Sequence, residues 1–96
     1  MKRDEALKQL QAHMPELVAR FGVKRLALFG STARDEARED SDVDVLVDLE
    51  KPTFRAYMGL KFFLEDHMHV TVDVVMRDSV RAPLKPYIER EALDVA

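Results

Sequence analysis

Between Ser41 and Glu50 the chain reads SDVDVLVDLE, and its strict alternation leaves little choice of secondary structure. Successive side chains of a strand point to opposite faces, so Val43, Val45 and Val47 line one face and Asp42, Asp44, Leu46 and Asp48 the other. The same ten residues carry four acidic groups and no base, a local charge of -4, whereas the whole 96-residue chain has a net charge of -3. The acidic excess of the protein is thus concentrated in one strand. No direct nucleic-acid binding is expected from this balance, because no excess of basic residues is available to grip phosphates. A local site for cations is.

The flanking segments predict what surrounds that strand. Leu7, Leu10, Met14, Leu17, Val18 and Phe21 recur at helical spacing, and Pro15 predicts a break between a helix over 3–12 and a second one ended by Gly22. Residues 25–29 (RLALF) predict a short buried strand, and 31–39 has room for two helical turns. Pro52 and Thr53 open a helix to about 67, with Tyr57, Leu60, Phe63 and Leu64 inward. Residues 70–76 (VTVDVVM) predict a third strand. A last helix is expected over 84–93, with Tyr87, Ile88 and Leu93 as its apolar stripe. The expected architecture is a single α/β domain over 1–96, with a small mixed sheet of about three strands flanked by helices.

Composition removes several classes of function. Without cysteine there are no disulfides, thiolate metal sites or cysteine nucleophiles. The three glycines, Gly22, Gly30 and Gly59, are spaced too far apart for a dinucleotide-binding turn or a Walker loop. The charged N-terminal run MKRDEALKQLQAH is no signal peptide and no apolar stretch reaches membrane-spanning length, so a cytoplasmic location without membrane attachment is expected.

The chemistry concentrates in two places. Asp42 and Asp44 project from one strand face with Cα atoms roughly 6.6–6.8 Å apart, a spacing that lets carboxylates converge on one hard cation or flank two. Asp73 lies between Val72 and Val74 in the third strand, where an acid needs a partner. A helix separates strands two and three, which suits a parallel crossover and brings Asp73 beside Asp44. Gly30 and Ser31 form the second place. They end strand one where a helix begins, so free backbone N–H groups and a hydroxyl face an incoming anion. Arg34 follows one turn later and can face the same anion. For Ser31 to meet Asp42, strands one and two must run antiparallel. Metal-bridged phosphoryl or nucleotidyl transfer is the chemistry these parts support.

The ordered set GSTAR at 30–34, SDVDVLV at 41–47 and Asp73 in VDVV resembles the DNA polymerase β-like nucleotidyltransferases. Over nearly the whole chain it is most similar to the minimal nucleotidyltransferase (MNT) family, small proteins encoded beside HEPN-domain ribonuclease toxins. The resemblance implies that fold, and transfer of AMP from Mg-ATP to a hydroxyl with loss of pyrophosphate. The implied acceptor is a tyrosine of a HEPN toxin, which the transfer inactivates. Carried onto this chain, Asp42 and Asp44 would bind two Mg2+ ions, and Asp73 the ion that activates the acceptor hydroxyl, whose proton it would also accept. Gly30 and Ser31 would hold the β- and γ-phosphates, with Arg34 in support. Larger relatives enclose the nucleotide with an extra helical domain; here a HEPN partner in a hetero-oligomer is expected to complete the site.

Plainer readings stand beside these. Asp48 reads as a solvated strand residue, Ser31 as a helix cap, and Arg34 as a partner of Asp35 or Glu36. His67 and His69 read as surface residues rather than zinc ligands. Tyr57 and Tyr87 read as core, and Phe62 and Phe63 with Met58 as core or a partner-facing patch. The competing function is an antitoxin that occludes its partner without catalysis.

Overall fold

The protein was analysed as a computed structural model that describes residues 1–95; Ala96, the last residue of the expected domain, lies outside them. The elements run α1 (Arg3–Phe21), β1 (Val23–Phe29), α2 (Gly30–Ala33), β2 (Val43–Leu49), α3 (Phe54–Met68), β3 (Val72–Met76), a 3-10 turn (Arg77–Ser79), α4 (Lys85–Glu91) and β4 (Leu93–Asp94). The strands form one sheet in the order β3-β2-β1-β4. β1 runs antiparallel to both β2 and β4, whereas β2 and β3 are parallel. The sheet is therefore mixed, as expected, with four strands rather than three.

α1 and α3 cover one face. Leu10 and Leu17 of α1 and Leu60, Phe63 and Leu64 of α3 pack with Leu26, Leu28, Val43, Val45, Val47, Val72 and Val74 in one buried cluster. Gly22 ends α1 at φ 68°, and its N–H meets the carbonyls of Leu17 and Val18. That left-handed conformation is open to glycine at little cost. Thr53 caps α3, its hydroxyl accepting from Ala56 N at 3.1 Å.

Four expectations are corrected. The break at Pro15 does not occur, and α1 continues through it for 19 residues. An interior proline costs about 3 kcal/mol, but Leu10 and Leu17 on either side of it are fully buried. Pro15 itself and Gln11, whose carbonyl it leaves without a helical partner, are exposed, so water can reach that turn. The segment 31–39 holds one helical turn, not two, because Asp35 turns to φ 60°. Residues 93–94 leave the expected last helix and pair with β1, where Val95 N donates to Leu26 O at 2.9 Å. Finally, Tyr87 is not core but 65% exposed, and α4 buries none of its residues. Of the neighbouring phenylalanines, Phe63 is buried and Phe62 is exposed.

Candidate active site

The face of the sheet away from α1 and α3 carries the polar residues. Register pairs Phe29 with Asp44 across the antiparallel ladder and Asp44 with Asp73 across the parallel one. Asp44 and Asp73 therefore occupy neighbouring strands, about 4.7–4.9 Å apart, with side chains on the same face. Asp42 lies just before β2, exposed; Asp44 is half-buried, and Asp73 is exposed because β3 is an edge strand. The third acid is thus not enclosed in a buried strand as its apolar neighbours suggested. It is beside Asp44, as the parallel crossover required.

Gly30 closes the other side. Its φ is 75°, and a Cβ there would overlap Asp44 Oδ2 and sit 3.1 Å from Asp44 Cγ. Only glycine gives both this backbone conformation and this approach. The turn it opens is short: Arg34 N bonds to Gly30 O at 3.1 Å, and Glu36 N to Ser31 O at 2.9 Å. Phe29, not Ser31, is the residue preceding the turn, so the half-buried Ser31 hydroxyl is not a side-chain cap. Thr32, which sequence reasoning passed over, is fully buried, and its Oγ1 has no hydrogen-bond partner among the described residues.

The electrostatics follow from this crowding. Burial, then the charges of Asp73 and Asp42, push the Asp44 carboxyl up to about 6, with the Arg34 charge opposing. A carboxylate raised by burial and by like charges fits a hard cation, whose charge would favour its ionised form. Among the described residues no three acidic or imidazole side chains close into a complete ligand set. His67 and His69 make no such set either; His67 Nδ1 lies 2.8 Å from Phe63 O, and its ring stacks on Phe63.

Arg34 is near enough to influence Asp44, yet its guanidinium is held by carboxylates, with Nη1 3.0 Å from Glu91 and Nε 3.4 Å from Glu36. Glu36 was expected; Glu91, 57 residues away on α4, was not legible in sequence. Asp48 is likewise no solvated residue. It is half-buried and pairs with Arg77 Nε at 3.1 Å, and Arg77 also meets Glu89 of α4.

Comparison with known proteins places the chain in a family. The family described as Nucleotidyltransferase domain matches residues 7–95. Protein adenylyltransferase MntA of Thermococcus cleftensis is 42% identical over 90% of this chain and 88% of its own. A solved structure described as a minimal nucleotidyltransferase superposes with a TM-score of 0.82 at 39% identity, covering 97% of this chain and 95% of that one. A toxin–antitoxin crystal structure with AMP-PNP, at 20% identity and a TM-score of 0.70, covers 100% of this chain and 73% of its own, and shares the fold. With the family match spanning nearly its full length, the chain belongs to the nucleotidyltransferase domain family, in its minimal nucleotidyltransferase branch.

Proposed function

We propose that this nucleotidyltransferase moves AMP from Mg-ATP to a protein hydroxyl, a tyrosine of a HEPN-domain ribonuclease toxin, and so acts as that toxin's antitoxin. The observation that carries the reading is Asp44, pressed between the Gly30 backbone and Asp73. The adenylyltransferase name of the 42%-identical relative supports the same choice of nucleotide and acceptor class. Gly30 and Ser31 bind the β- and γ-phosphates through backbone N–H groups and the hydroxyl, and Arg34 supports them by exchanging part of its carboxylate pairing for phosphate. Asp42 and Asp44 would hold two Mg2+ ions and Asp73 would hold one of them, with the phosphates supplying the ligands that these aspartates lack. Bound there, Mg2+ neutralises charge on the triphosphate and acidifies the acceptor hydroxyl. Asp73 takes the phenolic proton as the tyrosine oxygen bonds to the α-phosphorus; the bond to the β-phosphate oxygen breaks and pyrophosphate leaves.

The test is α-labelled ATP with magnesium, this protein and its HEPN partner. Label on a partner tyrosine is the expected result. A tight complex that carries no label and still silences the toxin would mean occlusion without catalysis.

A further inference from the structure

Asp73 stands on the outermost strand, and an edge strand of five residues has few hydrogen bonds to hold it. In a parallel ladder alternate residues direct both peptide groups to the same side. Val43 N donates to Thr71 O at 2.9 Å, so residue 71 faces β2 and Val72 faces outward, where no strand follows among the described residues. Two side chains of α3 fill that place. Lys61 Nζ donates to Val72 O at 2.5 Å, and Glu65 Oε2 accepts from Val72 N at 3.0 Å. Lys61 Nζ also donates to Glu65 Oε2 at 3.1 Å, closing the set into a triangle. Both side chains are about three-quarters buried, at 25% and 26% exposure. The Val72 N–H and then Lys61 hold the Glu65 carboxyl below the usual range, as a charged acceptor requires.

We propose that Lys61 and Glu65 are positioning residues for Asp73: they replace the missing neighbour strand at Val72 and thereby hold the next residue's carboxylate beside Asp44. The inference rests on the proposed role of Asp73. A slip of β3 by one residue would turn its acid toward the core, and smaller play at the edge would spoil alignment with the acceptor. Gly30 and Ser31 stand on α2, another element than the one that carries the pair. Losing the pair therefore falls mainly on the step that needs Asp73 and leaves the phosphate contacts of Gly30 and Ser31 in place.

The experiment compares Glu65→Ala, Lys61→Met and the conservative Lys61→Arg in the full chain with its HEPN partner. Three quantities are measured: kcat for AMP transfer, KM for ATP, and hydrogen exchange at the Val72 amide. Glu65→Ala and Lys61→Met should lower kcat about ten- to a hundredfold, the scale of sub-ångström to ångström misplacement. KM should stay within about twofold, and the Val72 amide should exchange at least about tenfold faster in Glu65→Ala. Lys61→Arg should restore most of kcat. Unchanged kcat in a folded Glu65→Ala protein would overturn the proposal, as would kcat and KM rising or falling together. If Glu65→Ala does not fold, Glu65→Gln, which keeps the shape and an acceptor but loses the charge, carries the same comparison. Asp73→Asn is run alongside. Retained transfer there overturns the role of Asp73 itself, whereas lost transfer there with normal Glu65 and Lys61 variants overturns only the clamp.

Discussion

The two faces of one sheet divide the labour of this molecule. Toward α1 and α3, Val43, Val45 and Val47 are fully buried among leucines. Toward the other side, the same strand presents Asp44 and Asp48, one crowded by like charges and one tied to Arg77. The first face stabilises by removing apolar surface from water, a contribution that needs no particular partner. The second works only if each charge finds a specific partner, and among the described residues Asp44 has no ion-pair partner. Stability is stored on one face and chemistry on the other, with a single strand serving both.

The largest expected contrast sets one substitution on each face. Asp44→Asn should lower transfer by at least about 10²–10³-fold, measured as labelled AMP on the acceptor, with the melting midpoint unchanged or raised. Leu10→Ala, in the core, should lose about 2–5 kcal/mol of folding free energy, measured by urea denaturation, while molecules that remain folded keep their turnover. Near-normal transfer by Asp44→Asn would end the assignment of that face to catalysis.

A second measurement adds ligands to the polar face alone. Magnesium and ATP together, near 100 times Kd, should add about 2.7 kcal/mol. For a domain of this size that moves the melting midpoint by roughly 10–20 °C. Either ligand alone should do much less, because the aspartates do not close a ligand set unaided. If neither the isolated chain nor its complex responds, the nucleotide site is wrong.

Smaller is the loss expected from Ser31→Ala. One charge-assisted hydrogen bond to phosphate is worth about 1.5–3 kcal/mol, so ATP affinity should fall by about one to two powers of ten. Stability should barely move, since the Ser31 side chain caps no helix. Unchanged affinity would remove Ser31 from the phosphate site.

The smallest effect is on pH dependence. The folded protein holds Asp44 at about 6 against an ordinary 3.8, so the unfolded chain ionises that carboxyl more readily. Its contribution is fully present below the unfolded value and is lost as pH rises from about 4 to 6. The half-exposed carboxyl makes this about 1–2 kcal/mol after screening by solvent. The difference in stability between the parent and Asp44→Asn, followed across that range, isolates the effect. A flat difference would mean that Asp44 carries no such strain.

How much of this was legible in the chain itself varies with the range of the forces involved. β2 was readable to the residue because alternation is a local property of consecutive side chains, and the glycine end of α1 was readable for the same reason. The meeting of Gly30, Asp42, Asp44 and Asp73 was reachable by inference, since a helix between two strands imposes a parallel crossover. Pro15 misled, because its local cost is outweighed by burial on both sides of it. β4 and the exposure of Tyr87 were not legible: both depend on the path of residues 87–95, which contacts with β1 decide.

Residue types and spacing determined by themselves that a cation-seeking acidic strand follows a glycine-led turn, and that one face of that strand is core. Beyond local pairs such as Arg34 with Glu36, tertiary structure decided which charges are partnered. Arg77 on Asp48, Glu91 on Arg34, and Lys61 with Glu65 on the Val72 peptide are contacts between groups 7 to 57 residues apart, apart from the local Lys61–Glu65 pair. The reason is physical: side-chain periodicity is set within a few residues, whereas an ion pair forms only where the folded backbone has already brought two charges within about 4 Å.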